Sequence, residues 1–279
     1  MAKVIFKLLT LLVTMQLSCA MAPFKRPGML PAISRGGARP GLDPTCLAKA
    51  FGTACMGQGV LNVLAPSIET PYGGEEINEC NAKIIRRLGL CVLNIGFFFY
   101  CLLFKGYNLR VSASLNALMW VAETISSLLN SQSETIGPSK ASDIIMLAFT
   151  APVAYSGLND LLWFGTAFKA CSVLTIASSL SCISPSLGVK LWELKNDDEF
   201  TPGFVSICGA AMGTLGTLMG SLAWGVDPLT SAGYTCAAAS VLDLKAFFFT
   251  PEVDKIGHNK TLLAMWPIFG AVTAASVLL

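Results

Sequence analysis

Residues 204–224 read FVSICGAAMGTLGTLMGSLAW, 21 residues without a charge, bracketed by Pro202-Gly203 and Asp227-Pro228. As an α-helix rising about 1.5 Å per residue, the stretch covers roughly 30 Å, the thickness of a bilayer's hydrocarbon core. Proline and glycine before it and Asp-Pro after it are helix boundaries.

The rest of the chain is built on the same plan. Of its 279 residues 53% are hydrophobic and 13% charged, with a mean hydropathy of +0.62. A soluble domain carries about 25% charged residues, so a water-soluble globule of this size is excluded, and nucleic-acid binding with it. Further apolar runs are separated by Pro66, Gly106 with Asn108, Gly137-Pro138, Pro185, Asp227-Pro228 and Pro251. They predict eight helices, at about 46–64, 84–105, 109–129, 141–158, 161–183, 204–224, 229–249 and 261–279. The expected fold class is all-α: a polytopic membrane bundle of about eight transmembrane helices. The lipid bilayer is its first partner.

The chain also repeats itself. Leu64-Ala65-Pro66-Ser67 returns as Ile183-Ser184-Pro185-Ser186, Lys49-Ala50 as Lys169-Ala170, Lys105-Gly106-Tyr107-Asn108 as Trp224-Gly225-Val226-Asp227, and Ile136-Gly137 as Ile256-Gly257. Four anchors in order, 119 or 120 residues apart, define two four-helix units, 45–160 and 161–279. An even number of crossings per unit makes them parallel repeats about an axis along the membrane normal, one of the known transporter plans. Basic residues gather on one side of this topology (Lys49, Lys105, Arg110) and acids on the other (Glu69, Glu75, Glu76, Glu79; Asp197, Asp198, Glu199), a bias that orients membrane proteins.

Two carboxylates lie deep in apolar helices, Glu123 in the third and Asp243 in the seventh. Their offset of 120 superposes them in the repeat. A carboxylate in hydrocarbon costs at least about 2.5–3.5 kcal/mol and commonly marks an ion or proton path. Structural hydrogen bonding or an interfacial position is the alternative. Asn94, Asn116, Gln58 and Thr214 are polar companions for a site between the units. In the sixth helix Gly209, Gly213, Gly216 and Gly220 give Gly-x-x-x-Gly twice, the spacing of close helix packing, within the chain or in a homodimer. A single histidine, His258, and ten cysteines without a Cys-x-x-Cys pair give no metal or haem set, so no cofactor is expected.

The N-terminus reads as an address. Residues 1–20 carry Lys3 and Lys7, the apolar run Leu8–Leu17 and small residues at Ser18-Cys19-Ala20, the pattern of a signal peptide. Residues 21–44 begin Met-Ala-Pro-Phe24-Lys25-Arg26 and form a basic, transit-like tail without an acid before Asp43. Together they resemble the bipartite presequence of algae with secondary plastids, which implies a plastid envelope or thylakoid membrane; a secretory-pathway membrane is the alternative. Pro66 after the first helix, then Arg87-x-Gly89 opening a Leu- and Gly-rich second helix, resembles small four-helix membrane proteins of the DoxX-like kind over about 50 residues, and no activity is carried over from it. No nucleophile, base or metal set nominates an enzyme. A small-solute, ion or proton carrier and a structural or assembly subunit of a larger, photosynthetic complex both remain open.

Overall fold

The computed structural model describes residues 43–66, 78–129, 139–194 and 198–279. The signal-peptide expectation and nearly all of the transit-like tail lie outside them, as do Glu69, Glu75, Glu76 and Asp197. The described chain is all-helical. Eight long segments follow in order: α1 Pro44–Leu64, α2 Glu79–Phe104, α3 Leu109–Leu129, α4 Lys140–Leu158, α5 Phe164–Ile183, α6 Thr201–Ala223, α7 Pro228–Phe248 and α8 Lys260–Leu278. Short helices Pro185–Leu191 and Pro251–Asp254 follow α5 and α7.

Five of the eight, α2, α4, α5, α6 and α8, are long and apolar enough to cross a membrane. The other three have 21 residues each, which is spanning length. They carry the polar residues: Gln58 and Asn62 in α1, Arg110, Asn116 and Glu123 in α3, Asp243 and Lys245 in α7.

Helix starts are fixed by polar caps. Asn78, Asp198, Asp227, Ser139 and Asn259 each accept backbone N–H groups of a helix's first turn, filling donors that have no partner inside the helix. α5 opens three residues later than the sequence predicts. Asp160 takes a left-handed conformation and the chain turns through Leu161–Trp163 before Phe164. Asp160 is ion-paired with Arg110, which ties the α4–α5 turn to the start of α3. α2 ends in a five-residue π-turn, Tyr100–Phe104, and Gly106 at φ 65° then reverses the chain toward the Asn108 cap of α3. Gly225 at φ 86° does the same between α6 and the Asp227 cap of α7.

Neighbours run antiparallel and pair as α1–α2, α5–α6, α3–α4 and α7–α8. α6 also packs extensively on α7, α4 packs on α5, α8 on α1, and α2 meets α6 at the centre. Glycine sets the closest of these contacts. A Cβ on Gly59 of α1 would lie 2.4 Å from the Leu93 nitrogen of α2, and one on Gly96 would lie 2.5 Å from the Gly52 carbonyl oxygen. The Gly stripe of α6 presses on α5 in the same way: a Cβ on Gly209 would meet the Cys182 nitrogen at 2.4 Å, and one on Gly216 the Ile176 nitrogen at 2.7 Å. Gly213 faces Ser179 and Leu242, and Gly220 is looser, its nearest neighbour being the Ile176 Cδ1 at 3.4 Å. The partner of the stripe is thus a helix of the same chain. Gly209→Ala is expected to lower the melting temperature in detergent, since overpacking costs about 1–3 kcal/mol, whereas Gly220→Ala should leave it unchanged within a degree or so.

At one end of the bundle, α2 and α6 are stitched by side chains. Asn78 donates to Asp198, the Asn81 amide nitrogen lies 3.0 Å from both carboxylate oxygens of Asp198, and the Thr201 hydroxyl donates to the Asn81 side-chain oxygen at 2.9 Å. Partial burial works against the Asp198 charge, but hydrogen bonds from Asn81, Thr201 and the backbone N–H groups of Phe200 and Thr201 hold its carboxyl below the ordinary value. A depressed carboxylate contributes stability that is present above its unfolded pKa, about 3.9, and is lost as pH falls through the lower folded value. Melting curves should therefore show an acid-induced loss of stability below about pH 4 that is smaller in Asp198→Asn than in the native chain.

Candidate functional site

Asp243 faces a cavity of about 90 Å3 that opens to the surroundings. Helices from both halves of the chain build it: Phe51, Gln58 and Asn62 from α1, Val92 and Ile95 from α2, Ala211 and Thr214 from α6, Phe247 beside Asp243 on α7, and Trp266 from α8. The wall is mainly apolar and partly aromatic, with Phe51 edge-on to Trp266 at 6.3 Å between ring centres. Polar groups are few: Gln58, whose amide donates to Asn62 at 2.8 Å, Thr214, His258 and the carboxylate. A largely apolar cleft with a few convergent polar groups is the usual form of a small-molecule site.

No ion pair or hydrogen bond reaches Asp243 among the described residues. The nearest cation in sequence, Lys245, spends its ammonium on the Cys182 carbonyl oxygen (3.1 Å) and the Thr250 hydroxyl (2.8 Å). Two positions along a helix separate side chains by about 200°, so the divergence follows from spacing alone.

Glu123 is somewhere else. It lies 3.9 Å from the Arg87 Nε, and Arg87 is ion-paired with Asp143, which also accepts from the Ser127 hydroxyl at 2.7 Å. This cluster joins α2, α3 and α4. The Arg87 side chain is 10% exposed, that of Asp143 fully buried, and that of Glu123 30% exposed. The structure therefore does not bring Glu123 and Asp243 together. The caps of α3 and α7, Asn108 and Asp227, are 119 residues apart, and in that register Thr124 occupies the position of Asp243 while Glu123 matches Leu242.

The other polar candidates divide as well. Gln58 and Thr214 line the Asp243 cavity, while Asn94 and Asn116 line a second, narrower one of about 20 Å3 between α2, α3, α4, α5 and α6. Asp143 is the functional-looking residue that the sequence did not single out. In the first turn of α4 it reads as an ordinary acid near a helix N-terminus, and its partner Arg87 is 56 residues away. The one available signal was Arg87 itself, an arginine in the first turn of an otherwise apolar predicted helix.

No family model, no curated protein and no solved structure matches the chain.

Proposed function

We propose that the chain is an integral membrane protein of eight spans in two parallel four-helix repeats, and that the cavity around Asp243 takes up a small cationic solute or a proton for transfer across the membrane. The observation that carries this reading is a carboxylate with no ion pair or hydrogen bond among the described residues, facing a cavity built by both halves. A carboxylate at membrane depth is costly, and a proton or a bound cation relieves that cost.

Several observations support the repeat. Caps recur at matched places, Asn78 and Asp198, Asn108 and Asp227, Ser139 and Asn259, each pair 119 or 120 residues apart. Gly89 and Gly96 press on α1 as Gly209 and Gly216 press on α5. Most helix pairings have a counterpart in the other unit, with α2 against α6 between them; α6–α7 is the exception, far more extensive than α2–α3. Asn78 with Asp198, and Asn81 with Thr201, are residues 120 apart that touch each other, as positions related by a two-fold do only where they lie on the axis.

The test is flux in proteoliposomes. Asp243→Asn should abolish uptake of the transported cation or proton while Glu123→Gln retains most of it. Flux that is intact in Asp243→Asn ends the carrier reading and leaves an assembly role, to be sought by co-migration with a larger complex on native gels. The bipartite presequence favours a plastid envelope or thylakoid membrane, and fusing residues 1–44 to a fluorescent protein tests that address separately.

A further inference from the structure

The second cavity has an unusual chemistry. The Asn94 amide nitrogen donates to the Leu90 carbonyl oxygen and that of Asn116 to the Ser112 carbonyl oxygen, both at 2.8 Å. A backbone carbonyl only accepts, so these bonds fix which way each amide is turned and leave its oxygen as the outstanding atom. Both oxygens are buried, without a hydrogen-bond partner, on residues exposed by 1% and 3%. Thr150 and Thr175 line the same space, and each has committed its hydroxyl proton to its own helix, to Met146 at 2.9 Å and Cys171 at 2.8 Å. Four oxygens on four helices thus offer lone pairs and no proton. Trp120 and Phe98 add aromatic walls.

We infer that this cavity is a binding site for a monovalent metal cation, sodium or potassium. Amide and hydroxyl oxygens are hard donors that replace a hydration shell, as carbonyl oxygens do in ion-selective pores. A divalent ion calls for carboxylates, and the lining contains none. A water molecule satisfies at most two of the acceptors by donating its two protons, whereas a cation draws only on lone pairs and has no such limit. Asn94 lies 120 residues before Thr214, so in the repeat the site is the counterpart of the Asp243 cavity, with neutral oxygens in place of the carboxylate.

The melting temperature of the purified full chain, measured in sodium, potassium and N-methylglucamine chlorides at one ionic strength, tests the site. A saturable rise of about 4 °C or more in one of the alkali salts is expected. It should vanish in Asn94→Leu/Asn116→Leu and shrink in Thr175→Val, which supplies the comparison if the double variant does not fold. Asp243→Asn should keep the rise, so the cation site and the carrier reading fail independently. A melting temperature equal in all three salts, or an alkali rise that survives in Asn94→Leu/Asn116→Leu or is undiminished in Thr175→Val, overturns the inference.

Discussion

Arg87→Ile should be among the most destabilising single substitutions in the chain, and adding Asp143→Leu should restore more than half of the loss. Removing the guanidinium leaves Asp143 fully buried beside a second carboxylate, Glu123. Breaking a buried ion pair from one side typically costs about 3–5 kcal/mol, a large part of the roughly 5–15 kcal/mol that holds a domain together. Asp143→Leu alone should be milder, because Arg87 keeps Glu123 at 3.9 Å and Glu123 keeps partial access to its surroundings. On the proposed repeat, the matching place in the second unit is filled without charge. Ile207 stands 120 residues after Arg87 and Leu263 120 after Asp143, and both are buried in one apolar cluster. The double variant places the same two apolar residues at positions 87 and 143, so denaturation in detergent should rank the native chain first, then the double variant, with Arg87→Ile last. If the double variant were no better than Arg87→Ile, the ion pair would not be what Arg87 contributes.

Much of the architecture was legible because it depends on local chemistry. Proline, glycine and Asx residues punctuate the chain, and the eight predicted helices match the eight observed to within a few residues, except at the N-termini of α2 and α5. α2 begins at Glu79 instead of residue 84 because Asn78 caps it, a signal hidden among charged residues that look like loop. Long-range facts were not legible. The Gly spacing in α6 announces a close approach, but nothing in it says that the neighbour is α5. The comparison of Glu123 with Asp243 turned on a single residue of register. One position around a helix is a rotation of about 100°, enough to send Glu123 to an arginine on α2 and Asp243 into a cavity. The anchor that opens these two helices, ending at Asn108 and Asp227, is spaced at 119 and not 120, and both residues serve as caps. Asn94 and Asn116 looked like generic polar companions, because the bonds that orient their amides run to their own helices and leave no trace in the sequence.

Asp243→Asn is expected to eliminate coupled flux while leaving the fold intact or stabilising it. The two halves of that expectation come from one fact. A carboxylate with no partner among the described residues, in a mostly apolar cavity, is a liability to the folded chain, because an ionised group loses its hydration there without an ion pair to offset the loss. Asparagine has nearly the same shape, carries no charge, and can donate to the Gln58–Asn62 side of the cavity. Its melting temperature should therefore be equal to or above that of the native chain. This is the opposite of Arg87→Ile, where charge removal leaves a partner stranded. Function should move the other way. An amide cannot release and rebind a proton in the physiological range and supplies no net charge to balance a cation, so flux should fall to the background of empty vesicles. Asp243→Glu keeps the charge with one more methylene in a cavity of about 90 Å3, and it should retain measurable flux. A residue that served only packing would give the reverse order, with the isosteric amide tolerated in every assay and the longer acid penalised. Stability and flux measured on the same three proteins therefore separate a binding carboxylate from a structural one.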